Sequence, residues 1–269
     1  MKKYLFIILI IIFSCEKDVA IPEEPTGFIC PELLEVPQTT AGTIDNLFQG
    51  DILIDHNKQA GVTTALWEDK IVHLYFDDRW NAEQLEMIRT ALKEYENIGF
   101  TFIEIEEDEA FIADPVDFIY VKYSGIAASY IGKHGGEQQM YLPNSWLSNS
   151  TIVHEFGHAV GLHHPHVTEM QSEWLTIYWD NIEEDKKFFF QTYSEYGEDY
   201  SGQTEGFEYG DSYDIYSIMN YPSNAYAIDL EKPTMTLKDG TWFARTENLS
   251  ELDKESINRM YECFKNRKG

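Results

Sequence analysis

Alternation of apolar and polar residues between positions 70 and 142 predicts four β-strands. The apolar positions carry mainly β-branched and aromatic side chains, which suit the half-buried surface of a pleated sheet. The predicted strands are residues 70–76, 101–106, 116–122 and 138–142. The first half of the chain is therefore expected to contain a sheet.

A helix is predicted between the first two strands. Asn81 is a suitable N-cap, and Gln84 stands at the third helical position, from which its side chain can bond back to the cap. Apolar residues then recur at the spacing of one helical face and are expected to form its buried stripe: Leu85, Ile88, Leu92 and Tyr95.

Two further helices are predicted later in the chain, from about residue 150 to residue 161 and from about residue 250 to residue 263. Most of the sequence between them, residues 164–250, shows no clear period. The predicted fold class is therefore α+β, with an irregular second half that is closed by one helix.

The first 15 residues resemble a bacterial export signal. Lys2 and Lys3 form a positive start, residues 4–13 are all apolar, and residues 12–15 read Ile-Phe-Ser-Cys, as in a lipobox. About ten apolar residues are too few to span a bilayer, which requires about 20. We therefore expect an exported lipoprotein that is acylated at Cys15 and anchored in the bacterial cell envelope. The alternative is an ordinary secretory peptide and a secreted protein.

The composition is that of a folded, strongly acidic protein. Of 269 residues, 47 are acidic and 20 are basic, which gives a formal net charge of -27 at pH 7. This charge repels nucleic-acid backbones and anionic lipid headgroups. No nucleic-acid partner is therefore expected, and membrane contact is expected only through the lipid anchor. Three cysteines are too few for a disulfide scaffold.

The segment HEFGHAVGLHH, which begins at His154, has the pattern of a metal site. On a helix, His154 and His158 project from one face, so both can bind the same ion. Glu155 lies one step around and can reach a metal-bound water without being a ligand. Gly161 stands where the helix would stop, which would bring His164 back as a third ligand. Three histidines with a free fourth position are typical of catalytic zinc, although a bare H-E-x-x-H also occurs by chance.

A second segment downstream fits the same kind of site. Residues 217–221 read Ser-Ile-Met-Asn-Tyr, and Met219 follows His164 by 55 positions. This matches the Met-turn that is expected after an extended zinc motif. The alternative for Met219 is an ordinary core methionine.

With these motifs the chain resembles the astacin family of metalloendopeptidases, in the metzincin clan. Further segments carry the resemblance between about residues 67 and 263: ALWEDKIVHLYF, SYIGKHGGEQQMYL, LTIYWDNI and YSIMNY. The resemblance implies a monomeric, zincin-like domain with two subdomains that face each other across an active-site cleft. A mixed sheet and the active-site helix would form the upper subdomain. The Met-turn and the C-terminal helix would form an irregular lower one.

The resemblance also implies roles for the site residues. One zinc ion would be bound by the three histidines of the motif, His154, His158 and His164, with Glu155 as the general base. In astacins the tyrosine of the Met-turn, here Tyr221, contacts the resting zinc and then stabilises the tetrahedral intermediate. Met219 would form an apolar floor under the zinc.

Upstream, Phe48-Gln49-Gly50-Asp51 resembles the F-x-G-D motif of astacin propeptides. In those proteins the aspartate binds the zinc in place of water and keeps the precursor inactive. A carboxylate is a suitable zinc ligand, and Gly50 would permit a close backbone approach. The alternative for Asp51 is a surface turn.

Three regions are therefore expected. Residues 1–15 would be the lipoprotein signal peptide, residues 16–60 a tether and inhibitory propeptide, and residues 61–269 the catalytic domain. Cleavage by an activating protease is expected near residues 58–61.

The cysteine pattern departs from the family. Astacin domains normally carry two disulfides, and only Cys263 has a counterpart here, since its expected partner falls near Gly99. A Cys30–Cys263 disulfide would instead tie the propeptide to the catalytic domain. One alternative is that Cys30 and Cys263 both remain free thiols. The other is a Cys30 thiolate that binds the zinc.

Two other positions also depart from the family. Pro165 replaces the glutamate that follows the third histidine in astacins and contacts the new N-terminus after activation. Residues 188–231 contain nine acidic and no basic residues, concentrated in a 195–214 loop. We expect a solvated loop there. The alternatives are calcium binding through carboxylates and a substrate-facing rim that favours basic or neutral peptides.

The sequence therefore predicts a zinc endopeptidase that is made as a zymogen and cleaves proteins or peptides. One alternative is a non-catalytic, zinc-containing lipoprotein that serves as a surface-binding module. Another is a metzincin of a different family. Glu155 and Tyr221 argue against the first alternative, and Tyr221 argues against the second.

Overall fold

The computed structural model describes residues 47–48, 50–53, 66–112, 116–168, 170–192, 195 and 213–268. The predicted signal peptide, Cys15 and Cys30 lie outside the described residues, as does nearly all of the acidic 195–214 loop. No helix within the described ranges is long and apolar enough to cross a membrane.

The upper part of the described structure is built on a seven-stranded mixed sheet. Its strands are β1 (Leu47–Phe48), β2 (Ile52–Leu53), β3 (Ile71–Phe76), β4 (Thr101–Glu104), β5 (Phe118–Ser124), β6 (Ala128–Ser129) and β7 (Glu137–Pro143). The order across the sheet is β1-β2-β6-β7-β5-β3-β4. The central pairs β4–β3, β3–β5 and β5–β7 are parallel, whereas β6 runs antiparallel to β7.

The four strands predicted from alternation are all present, with ends that differ by a few residues. The second ends at Glu104 because Glu106 caps the short helix α2 (Glu107–Ala110). The backbone N–H of Glu106 donates to the Glu109 carboxylate at 3.0 Å, so the chain turns away from the sheet at that point.

The longer helices follow the sequence pattern closely. Helix α1 (Ala82–Glu96) has both hydrogen bonds of its predicted capping box. Helix α3 (Asn149–Ala159) begins after Ser148, whose hydroxyl accepts from the Thr151 N–H. A short helix, α4 (Gln171–Trp174), follows, and the C-terminal helix α5 (Glu251–Lys268) extends beyond its predicted end.

The upper core lies between the sheet and helices α1 and α3. Two side chains also donate hydrogen bonds to carbonyls of α3. The Tyr95 hydroxyl of α1 donates to the Val153 carbonyl, and the indole N–H of Trp67, just before β3, donates to the Ala159 carbonyl at 2.8 Å. Buried residues of α5 complete this core: Ile257, Met260 and Tyr261. The C-terminal helix therefore packs with the upper core as well as closing the chain.

The lower part is irregular. Its small sheet pairs β8 (Leu175–Ile177) with β9 (Met235–Leu237) in antiparallel fashion. One 3-10 turn, Glu68–Lys70, precedes β3, and the others lie between α3 and the Met-turn: Pro165–Val167, Trp179–Asn181 and Glu184–Phe190. A second apolar cluster, which includes Phe189, Phe190 and Tyr221, packs here.

Candidate metal centre and active-site cleft

Helix α3 presents two imidazoles to one point because His154 and His158 lie one turn apart. Both side chains are fully buried, and the helix is buried from Thr151 to Ala159. Such a helix is held rigidly by packing on all sides.

Gly161 lies in the turn that follows helix α3 and has a φ of +116°. The Gly161 N–H donates to the His158 carbonyl at 2.8 Å, which closes the last turn. A Cβ at this position would lie 2.9 Å from Leu66 Cδ2, so a side chain would be strained and crowded. The turn brings His164 back towards the helix.

The three histidines meet through their Nε2 atoms. His164 Nε2 lies 3.2 Å from the Nε2 atoms of both His154 and His158. Burial lowers the pKa of His154 to about 3, and it also lowers the pKa of His164. These two imidazoles are therefore neutral at pH 7.

The β1–β2 hairpin carries Asp51 to the same point. Strand β2 pairs in parallel with β6, and the Ser129 N–H donates to the Asp51 carbonyl at 2.8 Å. Gly50, with a φ of +92°, makes the turn. Carboxylate oxygens of Asp51 lie 3.3, 3.7 and 3.3 Å from the Nε2 atoms of the three histidines in chain order.

The chemistry of these donors fits zinc. His154 Nδ1 donates to the Ile218 carbonyl at 2.9 Å and His158 Nδ1 donates to the Leu162 carbonyl at 2.8 Å, so each Nε2 of a neutral ring carries a lone pair. Lone pairs that face each other repel unless a cation lies between them. Tetrahedral zinc with bonds of about 2.0–2.1 Å separates neighbouring ligand atoms by about 3.3 Å. The observed 3.2 Å separations match that spacing.

Glu155 is buried beside this group but is not part of it. The side chain lines the cleft, is 0% exposed, and neither carboxylate oxygen has a hydrogen-bond partner among the described residues. Burial and the nearby charge of Asp51 raise its pKa well above the usual range, while Arg245 opposes them. A carboxyl group of raised pKa in a cleft is typical of a group that exchanges protons.

The Met-turn is fixed to both α3 and α5. Asp253 of α5 accepts from the Ser217 hydroxyl at 2.7 Å and the Ile218 N–H at 2.9 Å. The Ile218 carbonyl in turn orients His154. Met219 lies directly beneath α3, since a Cβ at Gly157 would come within 2.5 Å of its sulfur.

Tyr221 lies beside the metal group. Its ring centroid is 5.0 Å from that of His164 and 4.3 Å from that of His166, a further buried imidazole that follows Pro165. Pro165 itself starts the 3-10 turn Pro165–Val167. The Tyr221 ring centroid also lies 5.5 Å from that of Tyr226. Burial raises the pKa of Tyr221 well above its usual range.

A cleft of about 770 Å³ opens onto Asp51, Glu155 and Tyr221. Within the ranges that the structure covers, the one group of carboxylates and imidazoles close enough to hold a metal is Asp51, His154, His158 and His164, whose ligand atoms lie within 4.8 Å of one another. The structure thus brings together four of the residues predicted for the zinc site, Asp51 and the three histidines. The acidic loop considered for calcium lies almost wholly outside the described residues.

Three residues at the site were missed from the sequence. Asp253 had a local signal, because it stands three positions after Ser250 at the start of α5 and accepts from the Ser250 N–H at 3.0 Å. His166 and Tyr226 had no local sequence signal, because their positions in the fold depend on turns that show no regular sequence period.

Cys263 is disulfide-bonded. The chain has two other cysteines, Cys15 and Cys30, and both lie outside the described residues. Gly99, where a family partner was expected, is at a turn with a φ of +95°.

A mixed sheet above an active-site helix, with three converging imidazoles and a Met-turn below, defines a zincin-like metalloprotease fold. The model of the astacin peptidase family matches residues 59–262, and the chain belongs to this family. The family uses one zinc ion, and the group of Asp51 and three histidines provides its possible site here.

Among curated proteins, zinc metalloproteinase nas-8 of Steinernema carpocapsae is 27% identical over 214 residues, which are 77% of this chain and 47% of that protein. Zinc metalloproteinase nas-6 of Caenorhabditis elegans is 26% identical over 235 residues, 87% of this chain and 60% of that protein. The chain therefore spans about half the length of the curated relatives that it matches.

Solved structures share the fold. High choriolytic enzyme 1, a hatching-enzyme zinc protease from Oryzias latipes, superposes with a TM-score of 0.61 at 18% identity, over 77% of this chain and 98% of that one. Myroilysin superposes with a TM-score of 0.50 at 19% identity, over 74% of this chain and 97% of that one.

Proposed function

We propose that the protein is a zinc-dependent endopeptidase that is synthesised as a latent precursor. The observation that carries the proposal is the position of Asp51, whose carboxylate meets three buried imidazoles beside the unpartnered carboxyl of Glu155. His154, His158 and His164 would hold the zinc. Asp51 would take the fourth position and exclude water from it.

The β1–β2 hairpin also covers the place where a peptide would bind. The Ser129 N–H on β6 donates to the Asp51 carbonyl, so the hairpin occupies hydrogen-bonding positions at that strand. A peptide substrate could use the same positions once the propeptide leaves. Blocking the strand and the metal together would keep the precursor inactive.

Bound zinc supplies a polarised substrate carbonyl and a bound water whose pKa is near 7. Glu155 would take the proton of the attacking water and deliver it to the departing amine. The Tyr221 hydroxyl would donate to the carbonyl oxygen as negative charge develops there. Loss of one such donor typically reduces turnover by about 100- to 1000-fold.

Activation would require another protease to cut near residues 58–61, between the Asp51 hairpin and the first strand of the domain. Substrates would be proteins or peptides, and the enzyme would act as a monomer. We also propose export through the leader at residues 1–15, with a lipid anchor at Cys15.

We propose that Cys30 is the disulfide partner of Cys263. Acylation would consume the Cys15 thiol, which leaves Cys30 as the remaining cysteine of the chain. The propeptide would then stay attached to α5 after the activating cut. A disulfide would thereby link the catalytic domain to the membrane anchor.

The test of the proposed activity is Glu155→Gln, which keeps the size of the side chain but removes the base. We expect unchanged zinc content and loss of casein hydrolysis after activation. Glu173→Gln, on the exposed surface of α4, is the control and should retain full activity. Normal hydrolysis by Glu155→Gln would favour the non-catalytic binding module.

A further inference from the structure

A continuous chain of hydrogen bonds runs from the metal group through the Met-turn to helix α5. His154 Nδ1 donates to the Ile218 carbonyl at 2.9 Å. The peptide group of that carbonyl also contains the Met219 N–H, which donates to the Ser217 hydroxyl at 3.1 Å. The Ser217 hydroxyl donates in turn to Oδ1 of Asp253 at 2.7 Å. The chain therefore connects a candidate zinc ligand with a carboxylate.

All three hydrogen bonds of this chain point in the same direction. At each step the group nearer to His154 donates and the group nearer to Asp253 accepts. Hydrogen bonds arranged in this way polarise one another, so a negative charge at the end makes every acceptor in the chain stronger. The peptide group in the middle transmits the effect, because its carbonyl and its N–H belong to one resonance system.

Burial makes this effect stronger than it would be at the surface. Every residue of the chain is buried, and hydrogen bonds are electrostatically stronger in the low dielectric of a protein interior. The Asp253 carboxylate is also held in place, because it accepts from the Ile218 N–H at 2.9 Å and from the Ser250 N–H at 3.0 Å. Its charge therefore stays at the end of the chain.

We propose that Ser217 and Asp253 are positioning residues for the metal, which strengthen zinc binding by His154 through the Met219 peptide group. A stronger acceptor for the Nδ1 proton fixes the imidazole and makes its Nε2 a more basic ligand. Neither residue would contact the zinc or the substrate. The inference rests on the zinc site of the proposed function and adds to it the residues that tune one of its ligands.

The test measures the zinc affinity of the full chain, which is stripped of metal and then titrated with zinc against a competing chelator. The variants are Ser217→Ala, Asp253→Asn and the double variant. Ser217→Ala removes the hydroxyl that joins the Met219 N–H to the carboxylate. Asp253→Asn removes the charge but keeps the size and one oxygen that can accept from the Ile218 N–H. The titrations are run at pH 7.5, since the pKa of Asp253 is about 6 and the carboxyl is then ionised.

Ser250→Ala is the matched control. The Ser250 hydroxyl accepts from the Asp253 N–H at 2.9 Å and donates to the Asp214 carboxylate at 2.6 Å. Its loss weakens the start of α5 but leaves the chain to His154 intact. Urea denaturation of each metal-free protein then shows whether a change in zinc affinity merely follows a change in stability.

We expect Ser217→Ala and Asp253→Asn each to weaken zinc binding by about 10-fold, the lower end of the effect that outer partners of metal ligands have. Because both changes interrupt the same chain, the double variant should bind zinc about as tightly as Ser217→Ala alone. Ser250→Ala should be less stable than the wild type but should bind zinc equally well.

Unchanged zinc affinity in Ser217→Ala and Asp253→Asn would overturn the inference. A double variant whose loss equals the product of the two single losses would also overturn it, because the two residues would then act separately. An equal loss in Ser250→Ala would mean that zinc affinity depends only on the stability of α5. If the wild-type chain itself binds no zinc, the inference fails together with the proposed function. If the wild type binds zinc and hydrolyses casein while the variants bind zinc equally well, the inference alone fails.

Discussion

Gly50 and Tyr221 lie so close together that a methyl group on Gly50 would come within 2.9 Å of the Tyr221 hydroxyl. Gly50 and the Met-turn tyrosine therefore form one packed contact beside the metal group. Latency, as proposed, depends on this fit as well as on the carboxylate of Asp51.

The first prediction concerns Gly50→Ala. The added methyl would collide with the Tyr221 and Tyr226 hydroxyls, and the φ of +92° would be strained for alanine. We expect the hairpin to bind the cleft more weakly and the uncleaved precursor to gain measurable activity on a quenched peptide.

Gly240→Ala is the matched control for this change. Gly240 has a similar φ of +86°, but a Cβ there meets no atom within 4 Å. Its backbone strain is therefore comparable and the collision is absent. If the uncleaved precursors of both variants remain as inactive as the wild-type precursor, the Gly50 contact does not maintain latency.

The second prediction concerns the contact between α3 and the Met-turn. Alanine in place of glycine normally stabilises a helix by up to about 1 kcal/mol. At Gly157 the new Cβ would lie 2.5 Å from the Met219 sulfur, so we expect Gly157→Ala to destabilise the protein by about 1–3 kcal/mol. Urea denaturation measures the change. Gly125→Ala, with open space around its Cβ, is the control, and equal stabilities would contradict the packing described.

The third prediction is a pH dependence from Asp253. Burial, with a smaller contribution from Asp214, raises its pKa from 3.8 to about 6, so the folded protein holds this proton more tightly than the unfolded chain. The resulting stabilisation is fully present below about pH 4 and is lost as the pH rises through 6. It amounts to about 3 kcal/mol at most.

Asp253→Asn cannot bind that proton. Its free energy of unfolding, measured between pH 4 and pH 7, should therefore decline less with rising pH than that of the wild type. Glu251→Gln, an exposed carboxyl on the same helix, is the control. Parallel curves for wild type and Asp253→Asn would mean that Asp253 does not titrate in this range.

The fourth prediction follows from the disulfide of Cys263. If Cys30 is its partner, activated protein should run on a non-reducing gel with the propeptide still attached, and reduction should release it. The Cys30→Ser variant should release the propeptide without reductant, whereas Cys15→Ser should not. Release from the wild type without reductant would exclude the tether.

The sequence was most informative where structure is local. A spacing of four residues on one helix was enough to place His154 and His158, and Gly161 indicated the turn that returns His164. The capping box of α1 could be predicted equally well, because Asn81 and Gln84 lie within one helical turn. In each case the interacting residues are close in the chain.

Contacts between distant segments could not be predicted in this way. Tyr226 reaches Tyr221 through a strained turn that has no sequence period. The contribution of Ile257 and Tyr261 to the upper core depends on how α5 returns to the sheet. The approach of Asp51 was suggested by resemblance alone, because β1 and β2 are two residues long and too short to show alternation.

The central claim is that Asp51 closes a zinc site in an otherwise competent peptidase. Its most direct test is peptide hydrolysis by the uncleaved chain with Asp51→Ala, with Asp51→Ala/Glu155→Gln as the control and zinc content measured for both. We expect about one zinc per chain in each protein, hydrolysis well above that of the wild-type precursor in the single variant, and none in the double variant. If Asp51→Ala binds zinc and remains as inactive as the wild-type precursor, the account is contradicted.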